Sequence, residues 1–222
     1  MKSKEKPSCP RKQRLTPARI VEAAARVADR GGLQLVSMRT VARELGVEAM
    51  SLYYHVKNKE ALLDGLASWV ARQFYLPDPA GNWREEMQRS AISRRNVLAA
   101  HPWGLGMIES RGIADLTVPR HHDAVLGTLY TAFDVRMAAH AFAILDAYIY
   151  GFVLTEVNLP FAPDSGHENE MAASLDLSGL PHLGRMVGEL MTTGEYSYAA
   201  EFEIGLGLIL DGLERLAATP RP

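Results

Sequence analysis

Of the 222 residues only one, Cys9, is a cysteine. An intrachain disulfide is therefore excluded, no cysteine cluster is at hand for zinc, and a reducing cytoplasm fits. Long uncharged apolar runs are missing too. The chain starts with charged residues and has no hydrophobic segment behind them, so neither a signal peptide nor a membrane span is expected. Strict alternation of polar and apolar residues, the mark of half-buried strands, is absent, and no internal repeat shows. Nucleophile elbows, phosphate-cradling glycine loops and metal motifs are missing as well, so nothing points to an enzyme. His101, His121, His122 and His140 do not change this. Adjacent histidines point apart on a helix, and neither a metal nor another cofactor is expected.

What is present is a hydrophobic fraction of 47%, enough for a substantial core, under a net charge of −2. That small value hides a division. Residues 1–60 carry 13 Lys/Arg against 6 Asp/Glu, or +7, and residues 61–222 carry 11 against 20, or −9. A basic end on an acidic body points to a polyanion that meets only the first part. Charge alone is equally compatible with a solvated basic tail. Met1 to Leu15, with Pro7 and Pro10, reads as a flexible arm. Arg11 to Arg14 suit a phosphate backbone, whereas the first ten residues serve solubility equally well.

The stretch SMRTVARELGVEAMSLYYHVKNK, from Ser37 to Lys59, supplies the decisive pattern. Ser37 is placed to cap a helix from Met38 to Leu45, with Val41, Ala42 and Leu45 on one face. Gly46 is the residue able to take a left-handed stop, and Val47 is expected as a buried anchor in the turn. A second short helix, Glu48 to His55, buries Leu52 and Val56 and presents Ala49, Met50, Ser51, Tyr53, Tyr54 and His55. Small, hydroxylic and aromatic side chains at such a helix, beside basic groups, suit a major groove. The pattern is a helix-turn-helix. Tyr53 as a core aromatic, and His55 as a favourable charge at the helix end, are the plain structural readings beside it.

Around this motif the chain reads as all-α. Thr16-Pro17 opens a first helix that ends at Gly31-Gly32, with Ile20, Val21, Ala24, Val27 and Ala28 on its apolar face. Asn58 caps a fourth helix reaching Phe74 or Tyr75, and its broad apolar stripe should link the motif to the rest. Asn82 starts another, with Glu85 in capping-box position. Further helices are expected at Trp103–Ser110, from about Pro119 to Phe133, Val135–Val157 capped by Asp134, Leu180–Met191 and about Tyr198–Ala218. The stretch from Asn158 to Gly179 reads as a long loop. In the last helix Phe202, Gly205, Ile209, Gly212 and Leu213, with Gly151 in the long helix, are candidates for close helix–helix contact between two copies.

Residues 16–75 resemble the DNA-binding domain of the TetR family of bacterial repressors. The run LYYHVKNKEALLDGLA, from Leu52 to Ala67, resembles the tetracycline-repressor branch in particular. The pieces YGFVLTE and FEIGLGLILDGLERL resemble that branch's C-terminal helices, while the middle of the chain matches poorly. The resemblance implies a basic arm at 1–15 and a helix-turn-helix domain at 16–60, with the fourth helix, 58–75, as the link. An effector-binding and dimerisation domain follows at 76–222. It also implies a homodimer, a palindromic double-stranded DNA operator and a small-molecule effector whose binding shifts the fourth helix and spreads the two DNA-binding ends. DNA contacts are implied for Arg39, Thr40, Ala49, Met50, Ser51, Tyr53, Tyr54, His55 and Lys59. The chain has Ala49-Met50-Ser51 where that branch has Gln-Pro-Thr. Loss of the Gln removes a bidentate partner for adenine worth roughly 1–3 kcal/mol, so a different operator is expected. A largely apolar effector is expected near Trp103, Met107, Ile108, Tyr130, Phe142 and Tyr148. Tetracycline itself fits poorly, because Met107 aligns with a histidine that helps hold the drug's magnesium, and a thioether is a poor ligand for it.

The leading expectation is thus a ligand-responsive repressor in the cytoplasm, with no membrane partner. The alternative is a protein that binds DNA without sequence choice or serves as an interaction module. An enzyme comes third.

Overall fold

The structure is a computed structural model that describes residues 14–111, 115–159, 176–191 and 196–218. The basic arm before residue 14, and most of the expected loop after Asn158, lie outside these. Among the described residues every regular element is helical. The first is α1 (Pro17–Gly31), where the Thr16 hydroxyl accepts from the Arg19 amide at 3.3 Å. A 3₁₀ turn, Leu33–Leu35, leads to α2 (Met38–Leu45), α3 (Ala49–Tyr53) and α4 (Lys59–Ala71). The body holds α5 (Trp83–Ala100), α6 (Gly104–Arg111), α7 (Thr117–Tyr130) and α8 (Val135–Glu156). After these come α9 (Pro181–Met186), which runs into a π turn, Val187–Met191, and α10 (Tyr198–Ala218).

The starts follow from side-chain acceptors where free amides need them. Asn58 accepts from Ala61, Asn82 from Arg84 and Glu85, and Asp134 from Met137. Several ends differ from the sequence reading: α7 runs Thr117–Tyr130, not Pro119 to Phe133, and two others lie in or beside the motif. α4 stops at Ala71, short of Phe74, where the Gln73 and Phe74 amides turn to the Val70 and Ala71 carbonyls three residues back. The helix of the motif's second half covers only Ala49–Tyr53, and Tyr54–His55 form the turn beyond it.

Three apolar clusters hold the chain. The first joins α1 to α4 through Ile20, Ala24, Val27, Val41, Leu52, Leu62 and Leu66, and takes in Met107 from α6. The second surrounds Val70, Phe74, Leu98, Leu105, Ile108 and Val153. The third fills the far body with residues of α5, α7, α8 and α10, among them Met87, Leu129, Leu145, Ile149, Phe202 and Leu210. Two helices, α4 and α6, give side chains to the first two clusters, so together they carry the small N-terminal bundle on the body.

α8 departs from the expectation that no segment resembles a membrane span: by length and composition it is apolar enough to cross one. Here it spends that apolarity on two sides. Ala138, Ala141, Leu145, Ile149 and Val153 face the interior, while Ile144 and Leu154 face outward. Its acids are ion-paired, Asp146 with Arg94 and Glu156 with Arg95.

Polar groups stitch the body between these clusters. Buried Glu86 accepts from the Tyr75 hydroxyl at 2.8 Å and the Asp78 amide at 3.0 Å. The Asp78 amide above all holds its carboxyl below the ordinary range. His121 on α7 is buried beside Ser90 and the Phe74 ring. Burial first, then the positive charge of Arg94, pushes its imidazole down to about 3, so the ring is neutral.

Candidate nucleic-acid interface

The turn between α2 and α3 is built locally. The Ser37 hydroxyl accepts from the Thr40 amide at 3.1 Å, and the Thr40 hydroxyl accepts from the Ser37 amide at 2.9 Å, a reciprocal cap. Gly46 closes α2 at φ 66°, a left-handed conformation that favours glycine. The Val47 amide then donates to the Ala42 carbonyl at 3.0 Å. Val47 itself is exposed, not the buried anchor expected, because the left-handed residue before it aims its side chain outward. The anchors are Leu52 and Val56, both buried in the first cluster.

With Leu52 pinned inward, α3 presents its other face. Met50 is 68% exposed and Tyr54 87%. Tyr53, His55 and Lys59 are exposed as well, so Tyr53 is not a core aromatic. Ser51 is half-buried. Ala49 is half-buried too and packs against the first cluster, which leaves less of its methyl for bases. Arg39 is exposed on α2. Thr40 has a local role: its hydroxyl donates to the Leu35 carbonyl at 2.7 Å and accepts from the Ser37 amide, so it shapes the motif. Lys57, which was not singled out from the sequence, is exposed in the link between α3 and α4. Its signal was there, in the same run as Lys59.

The six residues expected around an effector are not gathered together. Met107 lies in the first cluster and Ile108 in the second, because α6 packs along α4 and divides its apolar side chains between the two. Phe142 faces His122, Tyr148 stacks on Phe202, and Tyr130 is exposed at the end of α7. Trp103 alone of the six lines the cleft of about 600 Å³ between the end of α1, the start of α6 and the end of α8.

The residues expected at a dimer contact are also divided. Phe202 and Leu213 are buried in the chain's own core, Ile209 is packed against it, and Gly205 faces Tyr148. Gly151 and Gly212 face open space. The large apolar residues left outward on α8 and α10 are Val135, Ile144, Leu154, Ile204, Leu208 and Leu216.

Polar ties connect the N-terminal bundle to the body at both ends of α6. At its start, Asp29 Oδ1 on α1 accepts from Trp103 Nε1 at 2.6 Å and lies 2.8 Å from His101 Nδ1. At its end, Arg111 donates to Asp64 on α4 at 2.8 Å and to Glu60 at 2.5 Å. Those two carboxylates, Glu60 first, raise the Arg111 guanidinium's pKa further.

Comparison with known proteins agrees in both halves. Residues 20–66 match the family described as bacterial regulatory proteins, tetR family, and residues 76–217 match the tetracyclin repressor-like C-terminal domain. The HTH-type transcriptional repressor DrrR1 of Streptomyces coeruleorubidus is 30% identical, over 97% of this chain and 83% of its own length. The class C tetracycline repressor protein of Escherichia coli is 28% identical over 90% of this chain and 91% of its own. The crystal structure of ActR from Streptomyces coelicolor in complex with actinorhodin superposes with a TM-score of 0.71 at 25% identity. It covers 93% of this chain and all of that one.

Proposed function

As the chain belongs to the tetR family of bacterial regulatory proteins, we propose that it is a homodimeric repressor that a small effector releases from a palindromic operator. As a member of that family it is a DNA-binding transcriptional regulator, and a role without catalysis, in the cytoplasm, is proposed for it. The observation that carries the reading is the presentation of α3. Leu52 is sunk in the bundle while Met50 and Tyr54, large side chains with no core to fill, project from the same short helix.

The proposed domains are a phosphate-seeking arm at 1–15, a DNA-binding head at 16–60 linked through 58–75, and an effector and dimer body at 76–222. Met50, Tyr53, Tyr54 and His55 are proposed to meet the groove and Arg39, Lys57 and Lys59 the phosphates. Ala49 and Ser51 make closer, smaller contacts, and Thr40 positions α2. The outward stripe of Ile144, Leu154, Ile204, Leu208 and Leu216 is proposed as the face that meets the second copy. Actinorhodin in the ActR structure supports a small organic effector. Met107, which the resemblance sets against a magnesium-linked histidine, is a buried thioether, and a thioether is a poor ligand for a magnesium–drug complex.

Selection of bound sequences from a random duplex pool tests this reading. A palindrome with half-sites about 34–36 Å apart is expected. Absence of any enriched sequence would overturn it in favour of binding without sequence choice.

A further inference from the structure

We propose that Asp29 is the positioning residue that fixes the two DNA-binding heads at one spacing. The inference rests on the reading of the chain as a dimeric operator-binding protein and adds a named residue to it.

The head is carried on α4 and α6, which both give side chains to its cluster and to the body's. These two helices pack along each other, so they set a direction but hold rotation about their shared axis weakly. Resistance to rotation needs a contact away from that axis, and α1 is where such a contact occurs. Asp29, near the end of α1, takes the indole N–H of Trp103 and faces Nδ1 of His101 with the same oxygen. Both donors belong to the α5–α6 corner. They are held in turn by Trp69 of α4, whose ring stacks on Trp103 at 6.3 Å and meets His101 edge-on at 5.0 Å.

Apolar contact is thin just beside this tie. The cleft of about 600 Å³ opens there, with Ala28 to Gln34 on the head side and Trp103, Leu105, Leu154 and Val157 on the other. Close-packed side chains resist displacement, whereas a gap does not. Across the gap, the polar tie from α1 to the body is two hydrogen bonds to one carboxylate oxygen. A change of one base pair between half-sites is about 3.4 Å. A head freed at α1 by that much would no longer distinguish neighbouring spacings.

The test uses the full-length protein and the operator selected from random DNA. Affinity is compared for that operator, for versions with one base pair inserted or removed between half-sites, and for an isolated half-site. The variants are Asp29→Ala, Asp29→Asn and Trp103→Phe, each with its thermal unfolding measured. Asp29→Ala removes the acceptor. Asp29→Asn keeps an oxygen that accepts from both donors, and Trp103→Phe removes one donor but keeps an aromatic ring facing Trp69. Wild type and Asp29→Asn are expected to keep the spacing preference. Asp29→Ala is expected to lose about tenfold of it, and Trp103→Phe part of that, with half-site affinity unchanged. The inference is overturned if Asp29→Ala discriminates spacing as the wild type does, or if Asp29→Asn loses as much as alanine. A half-site affinity that falls in step with the full site would also overturn it, since Asp29 would then serve only folding. If the wild type selects no spaced palindrome, the dimeric-operator reading fails first and this inference falls with it.

Discussion

A Cβ on Gly205 of α10 would fall on the Tyr148 hydroxyl of α8. That hydroxyl donates to the Phe202 carbonyl at 2.9 Å, and the Tyr148 ring stacks on Phe202 with centroids 5.4 Å apart. The glycine is therefore part of the chain's own core. Gly205→Ala would force the locked ring aside and is expected to cost about 1–3 kcal/mol. Denaturant unfolding checks this, and a stability equal to the parent's would contradict it.

The side of α10 turned away from buried Phe202, Leu206 and Leu210 leads to a second expectation. Leu208 is 68% exposed and lies one turn from exposed Ile204. Leu208→Glu removes no interior contact, so the chain should stay folded. On a face that meets a second copy, the new charge should yield monomers in sedimentation at micromolar concentration. A dimer of unchanged strength would place the contact elsewhere.

These two faces show where sequence reading ran out. α10 is apolar around most of its circumference, so helical spacing identified Phe202, Ile209 and Leu213 as contact residues but could not say which face meets the chain's own α8. Gly205 and Gly212 share a seven-residue spacing, yet one abuts Tyr148 and the other faces open space. Helix starts were far more legible, because Ser37, Asn58, Asn82 and Asp134 act within their own first turn. α3 was legible for the same reason: Gly46 and Leu52 determine which side faces out. The division of α6 between two clusters was not, since it depends on α4, far away in sequence. The tie from Asp29 to Trp103 was equally hidden, because the two stand apart in sequence and each is ordinary alone.

His121 gives a pH prediction. In the folded chain its imidazole is pushed down to about 3, mainly by burial. The unfolded chain takes up a proton near the ordinary value of about 6.5. Below that pH the unfolded state binds more protons than the folded one, so stability falls as pH drops from about 6.5 toward 3. Between pH 7 and pH 5 the loss from this group is about 2 kcal/mol. His121→Phe should flatten that part of the stability profile, whatever its effect at pH 7. An unchanged slope would show that the ring is not held neutral.

The central claim is that α3 and the start of α4 grip DNA, and Tyr53→Ala combined with Lys59→Ala tests it most directly. Both side chains are exposed, so the double variant should unfold at the parent's temperature. Its affinity for the selected operator is measured over a range of salt. The account predicts a loss of at least about tenfold, with the salt dependence reduced by about one phosphate contact. A folded double variant that binds the operator as tightly as the parent, with the same salt dependence, would contradict it.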